Sequence, residues 1–284
     1  MQARWLCLTE DAGKPIGEIA EMTRRDVAAD FQAPGAAALR LNGKSDQVRS
    51  VFENAPRYLN SRQVDIRVRA ETVKEFAATR EWQRLLDIGC GDGTISLPLL
   101  TPTSHLTLLD LSASMTAIAK SNIPERLAAN VEVRNEDFMK ASFDSASFDL
   151  IISVGVMAHV ESPDDFLSAI AKLLRPGGRL IIEFTDCRHI VGRLGRFFGT
   201  LQELVAPPKY RTNRLSFPEV ALLFKRHGLR LISEFRYATV PVPGIERLLS
   251  HDVLYRIVEL TFGRYTKEKN AWLGNEYICI LTVD

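Results

Sequence analysis

Cysteine is scarce in this chain of 284 residues, and its four cysteines lie far apart in the sequence. No two of them form a Cys-x-x-Cys pair, so neither a disulfide framework nor a cysteine zinc site is indicated. An excess of charge of one sign is also lacking, since 36 lysines and arginines stand against 35 aspartates and glutamates and the net charge is +1. The overall charge therefore gives no support to nucleic acid or an anionic membrane as a partner.

Long hydrophobic runs are missing as well. The longest clean apolar stretch, residues 150–160, has 11 residues, whereas a membrane-spanning helix needs roughly 20. The chain reaches Glu10 and Asp11 before any long apolar run, which is not the pattern of a secretory signal. We expect a reduced, cytoplasmic protein without an integral membrane segment.

What the sequence does have, from Arg84 onward, is an alternation of short apolar runs with amphipathic helical patterns. This alternation predicts an α/β fold with a doubly wound, parallel sheet covered by helices on both faces. Two further strands are predicted after a longer interval, and we expect the last one to insert beside its predecessor. The seven predicted strands cover residues 84–88, 105–110, 131–137, 148–154, 179–184, 229–239 and 275–284.

Several helices carry recognisable end signals. Ser112 is predicted to cap a helix over residues 113–122, and Ser162 a helix with Pro163 at its first position. The second helix is expected to stop at the breaker cluster 175–178. Ser216-Phe217-Pro218-Glu219 is a capping-box pattern whose helix ends near Gly228.

The first 75 residues have a different pattern and are predicted to form a helical N-terminal extension. Helical stretches at residues 16–29 and 61–76 are separated by breaks at 33–35 and 42–43. The second predicted domain, residues 76–284, contains a lid insertion at about 186–215, after the fifth strand, and a second insertion at about 240–274.

The strongest motif joins the first strand to a glycine-rich turn, Leu85-Leu86-Asp87-Ile88-Gly89-Cys90-Gly91-Asp92-Gly93-Thr94, which is expected to open a helix. Glycine suits a sharp bend at which a ligand approaches the backbone. The spacing is G-x-G-x-G rather than the G-x-G-x-x-G of dinucleotide sites, and Asp87 would repel a pyrophosphate but attract a cation.

Asp110, 17 residues after Gly93, ends the second strand, where an acid accepts hydrogen bonds from ribose hydroxyls. Asp137-Phe138, at the end of the third strand, offers a carboxylate and a ring face for adenine.

These motifs, together with FDLIISVGVMAHV at 148–160 and LRPGGRLII at 174–182, resemble those of the class I S-adenosylmethionine-dependent methyltransferases of small-molecule type. The resemblance covers roughly residues 46–284 and implies a Rossmann-like, seven-stranded sheet with its last strand antiparallel. It also implies S-adenosylmethionine as cofactor, with Gly89 and Gly91 at its methionine part and Asp87 near its amino end. The candidate cofactor-binding residues are Tyr58, Asp87, Gly89, Cys90, Gly91, Asp110, Leu111, Met115, Asp137, Phe138 and Ser153.

Methyl transfer from a sulfonium is an in-line displacement that needs alignment and exclusion of water, and a hydroxyl acceptor also needs a base. His159, just after the fourth strand, is the candidate catalytic base, because an unperturbed pKa near 6.5 suits proton abstraction; orienting the cofactor is the alternative. Phe52 to Tyr58 resembles the family's N-terminal closing helix. Tyr58 is a candidate contact for the cofactor carboxylate or for the acceptor, with plain helix packing as the alternative.

Residues 186–230 hold nine basic and three acidic side chains, a local charge of +6. Apolar residues at helical spacing between 190 and 205 predict a lid helix. Arg193 and Arg196 on this lid are candidate acceptor contacts, and a solvated arginine face is the alternative. The hypothesis is a small-molecule acceptor with an apolar body and a phosphate or carboxylate. No metal requirement is indicated.

The leading interpretation is O-methylation of a small metabolite or natural product. Carbon or nitrogen methylation on the same scaffold is the second. RNA methylation is disfavoured by the near-neutral charge. A cofactor-binding protein without turnover and a nicotinamide oxidoreductase remain as alternatives of other classes, and a homodimer is left open.

Overall fold

A computed structural model of the chain describes residues 43–190, 193, 210–239 and 248–283. The chain divides into two units, Met1–Asn42 and Gly43–Asp284, and all described residues belong to the second. The predicted helix at 16–29, the break at 33–35, most of the predicted lid and the first residues of the second insertion lie outside the described residues. The domain boundary predicted at residue 75 stays a prediction.

Seven strands form one sheet in the order β3-β2-β1-β4-β5-β7-β6. Strands β1 to β5 are mutually parallel, and β7 runs antiparallel to both β5 and β6. The predicted seven-stranded sheet with an inserted, antiparallel last strand is therefore confirmed. The strands are β1 (Arg84–Ile88), β2 (His105–Asp110), β3 (Val131–Asn135), β4 (Phe148–Ser153), β5 (Leu174–Thr185), β6 (Leu229–Tyr237) and β7 (Glu276–Val283).

The two central strands, β1 and β4, are buried almost throughout, as expected for parallel strands covered on both faces. Their register aligns Asp87 with Ile152, so the carboxyl ends of β1, β2 and β4 meet at one edge of the sheet. Functional side chains at the ends of these strands are thereby placed side by side.

Seven α-helices are described, and they cover both faces. Apolar residues of α3 and α7, such as Phe76 and Phe262, pack in the core on one face. Those of α5 and α6, such as Phe166 and Phe224, pack in the core on the other, and each fully buried side chain of this size contributes about 1.5–3 kcal/mol. The helices are α1 (Lys44–Phe52), α2 (Ala55–Ser61), α3 (Gln63–Ala77), α4 (Ala113–Asn122), α5 (Pro163–Leu173), α6 (Phe217–Arg226) and α7 (His251–Phe262).

The predicted helix starts are confirmed. The hydroxyl of Ser112 accepts a hydrogen bond from the Met115 amide, and that of Ser162 accepts one from the Asp165 amide. Ser216 and Glu219 form the full capping box of α6. None of the helices in the described ranges is long and apolar enough to cross a membrane.

Three local predictions are wrong. The glycine-rich turn is not followed by an α-helix but by turns and one short 3-10 segment, Leu97–Leu99, because Pro98 lacks an amide donor and clashes with a continuing helix. Strand β3 ends at Asn135, two residues before the predicted end. Strand β5 begins at Leu174 rather than 179, since Gly177 at φ +69° and a register shift against β4 accommodate the breaker cluster.

Candidate functional site

The glycine-rich turn after β1 is fixed against β2. The amides of Gly89 and Cys90 both donate to the carbonyl of Leu109, at 2.7 and 3.1 Å. Gly89 and Gly91 have φ of +73° and +54°, a conformation that other residues rarely adopt. A Cβ on Gly89 would collide with the side chain of Val156, whereas a Cβ on Gly91 would meet nothing within 4 Å. Gly91 therefore presents bare backbone toward open space, where a ligand can approach.

Asp87, the predicted anionic residue below this turn, is almost fully buried, with 2% of its surface exposed. Its Oδ2 has no hydrogen-bond partner among the described residues. Burial raises the pKa of Asp87 to about 7, Ser96 opposes this shift, and the nearby Asp110 and Asp92 add to it. A buried carboxyl without a counter-ion favours a cationic ligand group, which would restore its charged form.

Asp110, at the end of β2, holds the turn in place. Its Oδ2 accepts from the Gly91 amide at 2.9 Å and its Oδ1 from the Ser112 amide at 2.8 Å. Burial raises the pKa of Asp110 in spite of these hydrogen bonds. Each oxygen keeps a further lone pair for a ligand hydroxyl. Leu111 is half-buried beside Asp110, and Met115 lies fully buried in α4.

The residues after β3 take two different positions. Asp137 lies at the edge, where its Oδ2 accepts from the Ser45 hydroxyl at 2.8 Å. The ring of Phe138 instead packs edge-on against Phe166, with centroids 5.3 Å apart, and only 7% of the residue is exposed. Hydrophobic burial draws this side chain into the core under α5, and its contact with adenine stays a prediction.

Cys90 and Ser153 line the underside of the same edge. The thiol of Cys90 is buried, and burial raises its pKa well above the ordinary value, so it stays protonated. Ser153 ends β4 fully buried, and its hydroxyl has no partner among the described residues. Like Asp87, Ser153 leaves a polar atom unsatisfied at the place where the candidate residues converge.

Aromatic side chains surround His159 beyond the end of β4. The ring of Phe52 contacts those of Tyr58 and His159 at centroid distances of 4.9 and 5.3 Å. The structure thus brings together the two predicted residues, Tyr58 and His159. It adds Tyr210, whose hydroxyl lies 2.7 Å from Nδ1 of His159. The run Pro207-Pro208-Lys209-Tyr210 does not follow the fourth strand in sequence, so nothing local to it reveals this contact.

His159 is a weaker base than its sequence position implies. Burial lowers its pKa to about 4, and the positive charges of Lys44, Arg69 and Arg62 add to the shift. The expectation of an unperturbed pKa near 6.5 is corrected accordingly. The imidazole is neutral at pH 7 and can accept a proton, but the resulting imidazolium is poorly stabilised.

Arg69 of α3 is the cation that sequence inspection missed. Its Nε donates to Oε1 of the buried Glu183 at 3.0 Å and lies 2.8 Å from Oε2, while the Tyr237 hydroxyl donates to Oε1 at 2.8 Å. Burial works against the charge, yet Glu183 and Tyr237 raise the pKa of Arg69 well above its ordinary value. The Nη1 atom lies beside Gly155, 3.2 Å from where a Cβ there would be, and so faces the end of β4.

Helix α1 crosses the edge of the sheet and is tied to three loops. Lys44 Nζ donates to the Val160 carbonyl at 2.7 Å, and Arg49 Nε to the Leu111 carbonyl at 3.2 Å. The Ser45 hydroxyl donates to Asp137 in the loop after β3. These contacts hold the end of α1, with Phe52, above the candidate site.

The predicted lid residues lie only partly within the described chain. Arg193 is exposed, and its amide donates to the His189 carbonyl at 3.0 Å. Arg196 lies outside the described residues. No group of three or more metal-binding side chains occurs in the described ranges.

Comparison with known proteins identifies the domain at this edge. Residues 86–182 match the family model described as a methyltransferase domain. The chain is 29% identical to the ubiquinone biosynthesis O-methyltransferase of Maricaulis maris, over 46% of this chain and 57% of that protein. It is 31% identical to the protein of the same name from Coxiella burnetii, over 37% of this chain and 45% of that protein. The chain thus spans about half the length of these curated relatives.

Solved structures share the fold. The magnesium protoporphyrin IX methyltransferase of Synechocystis PCC 6803, solved with bound SAH, superposes with a TM-score of 0.58 at 16% identity. The match covers 85% of this chain and 100% of that one. The match shows that residues 86–182 belong to a methyltransferase domain, and the fold around them is the one that the solved methyltransferase structure shares.

Proposed function

We propose that the protein transfers a methyl group from S-adenosylmethionine to a hydroxyl oxygen of a small molecule with an apolar body. One observation carries the proposal. The buried carboxyl of Asp87, whose Oδ2 has no hydrogen-bond partner among the described residues, lies under the glycine-rich turn, at the same sheet edge as the aromatic cluster of Phe52, Tyr58, His159 and Tyr210. A site for a cationic ligand group and a site for an apolar acceptor thus adjoin.

The residues present fit the proposed cofactor. Asp87 would receive its amino group, the bare backbone of Gly91 would lie along its methionine part, and Asp110 would receive ribose hydroxyls. Arg69, whose guanidinium faces the end of β4, would receive the carboxylate. Leu111, Met115, Asp137 and Phe138 remain candidate contacts of the adenine. When bound, S-adenosylmethionine supplies a methyl group carried by a sulfonium sulfur. The leaving group is the neutral thioether that remains.

His159 supplies the base in this proposal. Because burial lowers the pKa of the imidazole to about 4, full deprotonation of a hydroxyl before methyl transfer would be strongly uphill. We therefore expect the proton to pass to His159 as the carbon–oxygen bond forms. The rings of Phe52 and Tyr58 exclude water from the reacting oxygen, so that it does not compete as the nucleophile.

The curated relatives support oxygen as the acceptor atom, because both are named O-methyltransferases. Nitrogen is the second candidate, and the low pKa of His159 favours it: a neutral amine already carries a free electron pair and needs no base. An amine acceptor would therefore make His159 dispensable for chemistry.

The test begins with cofactor affinity. Calorimetry should show that S-adenosylhomocysteine binds the full chain, and that Asp87→Asn weakens binding about tenfold or more, because a hydrogen bond to a charged group contributes about 1.5–3 kcal/mol. Asp144→Asn, an exposed acid in the loop before β4, is the matched control and should bind normally. Absence of binding in the wild type would refute the proposal.

The second step identifies the acceptor atom. Labelled methyl donor is incubated with phenols, catechols, aliphatic alcohols and amines, and the products are analysed by mass spectrometry. His159→Gln should lower O-methylation about a hundredfold, within the range for loss of a general base. If instead an N-methylated product forms, and forms equally well in His159→Gln, the acceptor atom is nitrogen and not oxygen.

A further inference from the structure

The segment 210–215 is fastened to the loop that carries His159. The amide of Asn213 donates to the Ala158 carbonyl at 2.7 Å. Its side-chain Nδ2 donates to the carbonyls of Met157 at 3.2 Å and Val160 at 2.8 Å. These bonds flank His159 on both sides and fix Tyr210, three residues before Asn213, relative to the imidazole.

The same segment is fixed at two further points. Leu215 forms an isolated bridge with Asp186, and its carbonyl accepts from the Cys187 amide at 2.8 Å. At Asn213, Oδ1 accepts from Lys44 Nζ of α1 at 3.0 Å. Asn213 therefore joins α1, the loop after β4 and the segment 210–215, so that the place of Tyr210 is determined from three directions.

The contact between Tyr210 and His159 occupies one of the two ring nitrogens. The Tyr210 hydroxyl is 2.7 Å from Nδ1, and the rings meet edge-on with centroids 5.7 Å apart. No other hydrogen bond to the imidazole occurs among the described residues, so Nε2 is the nitrogen left for a ligand. The tyrosine stays a neutral phenol, because burial raises the pKa of Tyr210 to about 12.

We propose that Tyr210 is a positioning residue that keeps the proton of neutral His159 on Nδ1; this role rests on the proposed function. A neutral imidazole carries one proton, so Nε2 can accept a second only if the first is on Nδ1. The phenolic oxygen has lone pairs to receive that N–H. In the reaction, the acceptor O–H bond would break, an Nε2–H bond would form, and the oxygen would use the released electron pair to bind the methyl carbon. The bond from that carbon to sulfur would break at the same time, and its electron pair would stay on the neutral thioether. The Nδ1–H bond to Tyr210 persists in the imidazolium.

The opposite arrangement makes a different prediction. If the Tyr210 hydroxyl donated to Nδ1, the proton of the neutral ring would be on Nε2, and His159 would be a hydrogen-bond donor toward the ligand instead of a base. The tautomer of His159 in the resting protein therefore separates the two arrangements.

The tautomer can be measured without turnover. The full chain is labelled with ¹⁵N-histidine and saturated with S-adenosylhomocysteine, and long-range ¹H–¹⁵N correlation spectra are recorded at neutral pH. His159→Gln assigns the ring among the five histidines. We expect the proton on Nδ1 in the wild type and a mixture of tautomers in Tyr210→Phe. Tyr265→Phe, whose ring packs on Phe76 away from the site, should match the wild type.

A proton on Nε2 in the wild type, or an unchanged tautomer in Tyr210→Phe, would overturn the proposal. Asn213→Ala provides a second variant: loss of its bonds to the loop should shift the tautomer in the same direction as Tyr210→Phe. Because the spectra report the ring directly, failure of the proposed methyl transfer would not be mistaken for failure of this positioning role.

Kinetics give the functional counterpart once an acceptor is known. Tyr210→Phe should lower kcat about tenfold or more while changing the acceptor KM by less than about threefold, since only the transition state needs the base. Tyr265→Phe should alter neither constant. A raised KM at unchanged kcat would show a binding role for Tyr210 and contradict the proposal.

Discussion

The two halves of the sheet edge are built in different ways. The half proposed for the cofactor consists of residues close in sequence, from Asp87 to Asp110, on one β-turn-β unit. The other half, beyond the end of β4, joins side chains that are remote in sequence, such as His159 with Tyr210 and Arg69 with Glu183, 51 and 114 positions apart. It is proposed to hold the acceptor and, through Arg69, the carboxylate of the cofactor.

The charges of the two halves differ as well. In the first half, the buried carboxyl of Asp87 has an unsatisfied oxygen. In the second, Oε2 of the buried Glu183 also accepts no hydrogen bond among the described residues, but it lies 2.8 Å from Arg69 Nε, and Oε1 accepts from Arg69 and Tyr237. The first half thus leaves a buried carboxyl without a counter-ion for a ligand, whereas in the second half the charge of Glu183 is balanced within the protein by Arg69.

The largest expected effect tests the second half. Glu183→Gln leaves the guanidinium of Arg69 buried without a counter-charge, and breaking a buried pair in this way costs about 3–5 kcal/mol of unfolding free energy. Denaturant titration measures the loss. Asp252→Asn, which removes the exposed partner of Arg67 at 2.9 Å, should cost less than about 1 kcal/mol. Equal losses in both variants would show that Arg69–Glu183 is not a structural pair.

The next effect separates two glycines of the first half. Gly89→Ala adds a Cβ against Val156 at φ +73°, so both strain and overpacking apply and we expect a loss of about 2–4 kcal/mol in stability. Gly91→Ala meets no protein atom and should lose only about 1–2 kcal/mol. The affinity of Gly91→Ala for S-adenosylhomocysteine, measured by calorimetry, should nevertheless fall at least tenfold. Unchanged affinity would show that S-adenosylhomocysteine does not contact the backbone of Gly91.

The third effect uses pH to sharpen the contrast in charge. The folded-state pKa of Asp87, about 7, lies above its unfolded value, so the native state binds more protons between about pH 4 and 7 and loses stability as the pH rises. Asp87→Asn removes this loss. Across that interval we expect the free energy of unfolding of the ligand-free variant to rise on the order of 1–3 kcal/mol relative to that of the wild type. Thermal unfolding at several pH values tests this, and parallel curves would contradict it.

The smallest effect concerns the predicted lid. Replacing Arg193 and Arg196 with alanine should raise the KM of an anionic acceptor about threefold, because exposed charge pairs contribute only about 0.2–1 kcal/mol. An uncharged acceptor of the same shape is the control and should keep its KM. If both acceptors, or neither, respond, these arginines do not recognise the anion.

Sequence alone predicted what local chemistry determines. The positions of the strands along the chain, the caps of α4 and α5, the capping box of α6 and the glycine-rich turn all follow from neighbouring residues. The missing helix after the turn shows that Pro98 prevents the helix that the glycine-rich motif predicts. Arg69 and Tyr210 could not be found in this way, because their importance arises from contacts across the fold. The burial of the Phe138 ring was missed as well, because the alternation of faces after β3 is not visible in one sequence.

The missing helix also bears on which ligands the turn can hold. Sites for phosphate groups combine backbone amides with the positive end of a helix dipole. After Gly93 this chain forms only a short 3-10 segment, so that partial positive charge is lacking, and a carboxyl is buried below instead. A dinucleotide would thus bring its negative pyrophosphate to a place where the described residues offer no compensating positive charge.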